Sequence, residues 1–157
     1  MPDMLVKLYD LPDISPLLLQ LKKESIVIRK AAAYEKHLVV DWVNNTFGAN
    51  WGSECDIAFN NHPLTCYIAT KKGHILGFAC YECTCRNFFG PIGVLNSVRG
   101  KGVGKALLCS CLQSMYSLGY AYAIIGAAGS TSFFEKSVRA TEIQGSSPGI
   151  YLDRLNG

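Results

Sequence analysis

Apolar residues recur along this chain with two periods, and the period changes at glycines and prolines. Residues 25–30 (SIVIRK) are β-branched and predict a strand. Residues 34–47 place Leu38, Val39, Trp42, Val43 and Phe47 on one helical stripe. The polar run 44–50 ends that helix, and 51–60 predict a shorter one before His62-Pro63 forces an extended exit. Two strand-like runs follow, LTCYIAT and HILGFACYECTC, joined by Lys71-Lys72-Gly73, a link short enough for a hairpin. Residues 91–96 (PIGVLN) predict another strand. Residues 104–118 predict a helix whose apolar positions are Ala106, Leu107, Leu108, Cys111, Leu112 and Met115, stopped by Gly119. Residues 120–125 (YAYAII) read as a buried strand, so the strand, helix, strand order predicts a right-handed crossover between parallel strands. Residues 131–138 predict a helix, and 143–155 predict one or two closing strands around the Gly145 to Gly149 turn. The pattern is that of a mixed α/β domain without internal repeats.

Ahead of this core, residues 4–11 are apolar, and Ser15 with Pro16 behind it suits the start of a short helix. Residues 1–24 therefore read as an N-terminal arm and 25–157 as the core of one domain, which 157 residues suit. Apolar residues make up 49% and charged residues 17%, enough for a core and too little charge for a disordered chain. Asp3, Asp10 and Asp13 near the start are unlike a secretory signal, and no apolar run approaches the ~18 residues of a membrane span. Seven cysteines, an odd number scattered through apolar segments, suit reduced thiols in the cytoplasm. The net charge of +3 suits a phosphate-bearing ligand better than a nucleic acid.

The chemistry concentrates in residues 94–106 (VLNSVRGKGVGKA), a strand that runs through a glycine-rich turn into a helix. Gly100, Gly102 and Gly104 carry no Cβ to hold a ligand off the backbone, and the free N–H groups of the following helix face an anion. Arg99, Lys101 and Lys105 add positive charge at the same place, as a ligand with several phosphates requires. The plain alternative is a flexible turn, but three glycines at a helix start weaken it unless something else needs them. Two other phosphate motifs fail on spacing. The dinucleotide pattern G-x-G-x-x-G meets Lys105 where its third glycine belongs, and the P-loop pattern meets Arg99 and Ala106 where it needs glycine and Ser or Thr.

What fits is Q/R-x-x-G-x-G/A, filled by Arg99, Gly102 and Gly104 between a strand and a helix. On this motif the chain resembles the GNAT superfamily of acyl-CoA-dependent N-acetyltransferases. The resemblance implies the GNAT fold, a central mixed and mostly antiparallel sheet flanked by helices, over roughly residues 25–155. It implies acetyl-CoA as co-substrate with no metal, held by the Gly93 and Val94 backbone and by Arg99, Gly100, Lys101, Gly102, Val103, Gly104 and Lys105. It further implies direct attack by a primary amine of a small molecule or peptide on the thioester. A catalytically silent acyl-CoA-binding protein of the same fold is the alternative. A homodimer is compatible with the family, and the apolar arm around Leu17 to Leu21 would pack on the chain's own sheet or on a partner.

The resemblance assigns the proton steps less completely. An amine with a pKa of about 10.4 costs about 4.6 kcal/mol to hold neutral at pH 7, so a base is useful. Glu82 is the candidate base, set against a solvent-facing or salt-bridged strand residue. Glu54 and Asp56 are candidates for the acceptor site, set against ordinary surface carboxylates. The family's usual tyrosine for the leaving thiolate is replaced by Phe134, and its frequent asparagine by Ala127. His37, His62 and His74 do not read as catalytic. Cys83 and Cys85 lack the spacing and the second pair of a zinc site.

Overall fold

Seven short strands share one sheet, and all but the last, a two-residue polar strand, bury apolar side chains against the flanking helices. In the computed structural model, which describes residues 1–156, the strands are β1 (Met4–Lys7), β2 (Ile26–Lys30), β3 (Cys66–Lys71), β4 (His74–Tyr81), β5 (Phe88–Val94), β6 (Tyr122–Ile125) and β7 (Thr141–Glu142). Five helices accompany them: α1 (Ser15–Lys23), α2 (Lys36–Phe47), α3 (Ala49–Ala58), α4 (Val103–Ser117) and α5 (Thr131–Val138). The strand order is β2-β3-β4-β5-β6-β1-β7, and only β5 and β6 run parallel. The expected crossover through α4 is therefore present. The β3–β4 hairpin turns on Lys72 and Gly73, both at positive φ, the geometry that matches the twist of paired strands.

The sheet separates two apolar layers. On one face α4 buries Ala106, Leu107, Leu108, Cys111, Leu112 and Met115 among Met4, Val6, Leu21, Ile125, Phe134 and Val138. On the other, Val39 and Val43 of α2 and Cys55 and Ala58 of α3 pack on Ile68 and Phe78. Leu38, expected on the α2 stripe, is instead 59% exposed. Arg29 on β2 bonds both carboxylate oxygens of Glu35, each at 2.8 Å, and fixes the entry into α2. That pairing, with the Ala32 N–H behind it, holds the Glu35 carboxyl down at about 2.

The two ends of the chain depart from expectation. Residues 143–155 form no strand: the closing strand is the two-residue β7, and a 3-10 turn at Gly149–Tyr151 follows it. The edge of β6 is covered instead by β1, antiparallel, with Met4 opposite Ile125 and Lys7 opposite Tyr122. Its alternating burial, Met4 and Val6 in and Lys7 out, is the period of a strand. The leading residues are thus built into the sheet. Leu21 of α1 is buried against the chain's own core, and Leu17 packs on the glycine turn.

Candidate functional site

β5 begins beside the last two residues of β6 and runs on past its end. Phe88 pairs with Ile124 and Phe89 with Ile125, and the pairing stops there. Opposite this point the β4–β5 register slips between Ala79 and Tyr81, and Gly90 lies at φ +129°. A bulge of this kind bends a strand and raises its twist, and beyond it Ile92 to Val94 of β5 pair with β4 alone. Along β5, Leu95 donates to the Leu76 carbonyl at 2.9 Å, so strict alternation turns Gly93 toward β4 and turns Ile92 and Val94 to the open edge. The polar groups of Ile92 and Val94 line a fork with no strand opposite. Gly93 owes its missing side chain to packing, since a Cβ there would lie 2.5 Å from Cζ of Phe47.

The open edge leads directly into the glycine turn. A 3-10 turn at Asn96–Val98 delivers Arg99 in extended conformation, and Gly100 and Gly102 follow at φ +85° and +90°. Gly102 caps α4, with Ala106 N–H donating to its carbonyl. Among the described residues the N–H groups of Gly100 to Lys105 donate to no backbone carbonyl, leaving a row of donors at the positive end of a 15-residue helix. A Cβ on Gly100 would meet nothing within 4 Å, so that side of the turn is open space. Gly102 has a second reason to be glycine: its Cβ would lie 2.6 Å from Cδ1 of Leu17. Arg99 is exposed and Lys105 half-buried beside the donors, Val103 is buried beneath them, and Lys101 pairs with Glu24 at 3.2 Å. The turn thus has the donors, the charge and the room that a polyphosphate needs.

The three candidate carboxylates separate clearly. Glu82 stands outside β4, at φ +61°, at the start of the connection to β5. One of its oxygens accepts from the Asn87 N–H and the other from the Tyr120 hydroxyl at 3.0 Å, so it fastens that connection to the start of β6. Asp56 pairs with Lys36 at 2.8 Å, with both side chains about half exposed. Glu54, partly buried on α3, accepts from the Thr84 hydroxyl in the β4–β5 connection. In the tail, the Tyr151 hydroxyl lies beside Gly126, the residue after β6. A Cβ on Gly126 would lie 2.7 Å from that oxygen and 2.9 Å from Cδ2 of Phe88. Burial, and then the charges of Glu54 and Asp3, push the Tyr151 phenol above its ordinary value.

Thr84, Tyr151 and Asp3 carried no sequence signal. Asp3 is buried and ties both ends of the chain to this corner. Its carboxylate accepts from Ala127 N–H at 2.8 Å, its own N–H donates to Ser146 Oγ at 2.8 Å, and its carbonyl accepts from Ile143 N–H at 2.9 Å. Phe134 is buried against Phe89 and Phe133. A cleft of about 370 Å³ lies elsewhere, between Lys30, Tyr67 and Tyr81 and the last turns of α4. Spacing alone also missed that Cys55, Cys66 and Cys80 bring their sulfurs within 4.8 Å of one another in the α2/α3 core layer. Burial pushes the Cys80 thiol well above the ordinary range, the condition of an inert core thiol.

The comparisons agree with this geometry. The model of the acetyltransferase (GNAT) family matches residues 36–138, from the start of α2 to the end of α5. The chain belongs to that family. Among solved structures it resembles the GCN5-related glucosamine N-acetyltransferase region of a fungal multi-domain GH3 beta-N-acetylglucosaminidase, with TM-score 0.72, 12% identity, and coverage of 90% of this chain and 19% of that one. It also resembles a GCN5-related N-acetyltransferase from Sphaerobacter thermophilus, with TM-score 0.70, 18% identity, and 90% and 48% coverage. A Drosophila protein follows, with TM-score 0.62, 13% identity, and 90% and 47% coverage. The chain spans less than half the length of each of these three proteins. No curated protein matches it. No helix among the described residues is long and apolar enough to cross a membrane.

Proposed function

We propose that this chain transfers the acetyl group of acetyl-CoA to a primary amine of a small molecule or peptide, by direct attack when both are bound. The observation that carries the reading is the continuity between the open edge of β5 and the row of free N–H groups that begins at Gly100. One end offers donors for a pantetheine-like amide chain and the other takes a pyrophosphate, with Arg99 and Lys105 adding charge. As the amine attacks, the carbonyl oxygen gains negative charge, which an N–H of Val94 or Ile92 on that edge is placed to stabilise. Of the carboxylates, Glu54 is assigned to the amine, because both oxygens of Glu82 already hold bonds and Asp56 is paired with Lys36. Glu54 accepts the ammonium proton, the neutral amine forms the C–N bond and the C–S bond breaks, and the second proton lost by the nitrogen passes through water to the departing thiolate, Phe134 having no hydroxyl to offer. A thiol pKa of about 8.5 makes that last step tolerable.

The test is amine-dependent release of free thiol from acetyl-CoA. The panel is polyamines, amino acids, aminoglycosides, lysine peptides and glucosamine, the amine named for the fungal neighbour. Turnover with at least one amine is expected. Tight acetyl-CoA binding without turnover on any of them would favour the silent binding protein, the reading that the missing tyrosine at Phe134 supports.

A further inference from the structure

Three of the seven cysteines converge on one point of the α2/α3 core layer. Cys66 and Cys80 face each other across β3 and β4. Tyr81 N–H donates to the Thr65 carbonyl at 3.1 Å, which makes theirs a narrow, non-hydrogen-bonded pair, the kind that brings side chains closest. Cys55 meets them from the buried face of α3, whose end is tied to the start of β3 by Thr65 N–H donating to the Ala58 carbonyl at 3.1 Å. All three are fully buried, and their sulfurs lie within 4.8 Å of one another. A buried cysteine is ordinarily a small apolar filler, as Cys109 and Cys111 are on α4. Filling does not require that sulfurs from three separate elements meet. With a centre-to-sulfur bond of about 2.3 Å, as zinc makes, three sulfurs around one atom stand about 4 Å apart, inside the spread of this triad.

The surroundings decide which atom the triad suits. The layer is built of apolar side chains such as Val43, Ile68 and Phe78, and a charge left among them is costly. Among the described residues no fourth cysteine, histidine or carboxylate joins the group, so the tetrahedral set that zinc takes is incomplete. Copper(I) on three thiolates would leave two negative charges behind. We propose that Cys55, Cys66 and Cys80 form a binding site for a trivalent thiophilic ion, of which arsenic(III) is the type. The site is separate from the proposed acetyl transfer and does not rest on it. Three thiolates cancel three positive charges, so the complex is neutral. Starting from neutral arsenous acid, each thiol gives its proton to one hydroxyl, which leaves as water as the As–S bond forms. Three waters are released, and nothing is oxidised or reduced. Burial keeps the free thiols inert, but a thiol that ligates a cation is deprotonated outright. Entry is provided for as well: Cys85 is exposed, and Cys83 is partly buried and packs on the same layer. An ion taken up at the surface passes inward by exchange of one thiol for the next.

The experiment incubates the reduced full chain with arsenite, removes the excess, and reads the native mass and the arsenic X-ray absorption. One arsenic per chain is expected, with a mass gain of one arsenic less three hydrogens and three sulfur neighbours but no oxygen. Absence of retained arsenic, or a centre with two sulfurs and one oxygen, overturns the assignment. Cys55→Ala should weaken arsenite binding by at least about tenfold, the smallest loss usual even for a residue that only supports a metal's ligands. Cys109→Ala, buried but outside the triad, should leave it unchanged. Should Cys55→Ala fail to fold, the mass and coordination of the wild-type complex still decide. Cys83→Ser combined with Cys85→Ser should slow uptake and leave the final occupancy as it was. Loss of the arsenic in that double variant would place the ion at the surface pair and overturn the buried site, as would full binding by folded Cys55→Ala. Retention of zinc or copper(I) in preference to arsenite would overturn the trivalent assignment.

Discussion

The two halves of the candidate site are built in opposite ways. The cofactor half is one uninterrupted stretch: the open edge of β5, the turn at Gly100 and the start of α4 all fall within residues 92–105. The proposed acceptor half draws on separate places in the chain, Glu54 on α3 and Thr84 in the β4–β5 connection. A continuous stretch holds its geometry through local backbone rules, so glycines at set spacing suffice to define it. A corner made of separate segments depends on every tertiary contact that brings them together, and a change in any one segment alters what it accepts. One half is therefore suited to a constant ligand and the other to a changing one.

This division predicts that variants sort into two groups that do not mix. The largest effect should come from Glu54→Gln. Removing the carboxylate that takes the proton should lower kcat/KM for the amine about 10²- to 10³-fold, within the usual range for a lost general base. Acetyl-CoA affinity, measured by calorimetry, should remain within twofold. A comparable loss of acetyl-CoA affinity would show that the two halves are not separable. Next comes Arg99→Ala combined with Lys105→Ala, which keeps every backbone donor and removes charge alone. Acetyl-CoA should bind about tenfold more weakly or worse, since a hydrogen bond to a charged group contributes about 1.5–3 kcal/mol. Raising the salt should weaken wild-type binding more than that of the variant, and kcat at saturating acetyl-CoA should hold. Unchanged affinity would leave the turn without its proposed ligand.

How much was legible in the sequence follows the same line. The hairpin at Lys72-Gly73, the α4 stripe, the parallel β5–β6 pair and the glycine turn are all set by residues close in sequence, and each was predicted from spacing. The role of β1 was not, because nothing in residues 4–7 says whether an apolar strand pairs with β6 or stays outside the sheet. The closing strands have the same cause: β1 takes the edge of β6, and only Thr141 and Glu142 pair beyond it. Glu82 was misplaced for a local reason. The run HILGFACYECTC alternates well enough to look like one strand, yet Glu82 and Asn87 both adopt positive φ and close a turn on the Phe88 carbonyl. The bond from Asp3 N–H to Ser146 Oγ, between residues more than a hundred positions apart, is likewise tertiary and has no local signal.

The smallest predicted change in rate is also the sharpest test of the comparison, because it sets Glu82 against Glu54 directly. In Glu82→Gln the amide keeps one acceptor oxygen and exchanges the other for an NH₂ group. Either the Asn87 N–H or the Tyr120 hydroxyl then faces a donor. The Tyr120 hydroxyl can turn and accept instead, whereas the Asn87 N–H is fixed in the backbone, so the amide oxygen is expected to stay with Asn87. The cost is then one charge-assisted bond replaced by a neutral one, about 1–2 kcal/mol of stability, read as an earlier midpoint in urea. Because that carboxylate fastens the connection that carries Thr84, the acceptor corner should loosen slightly and KM for the amine rise by no more than about threefold, equivalent to about 0.65 kcal/mol. The value of kcat should not move. Should kcat instead fall as far as in Glu54→Gln while stability holds, the proton-accepting role would belong to Glu82, and the acceptor half would centre on the β4–β5 connection rather than on α3.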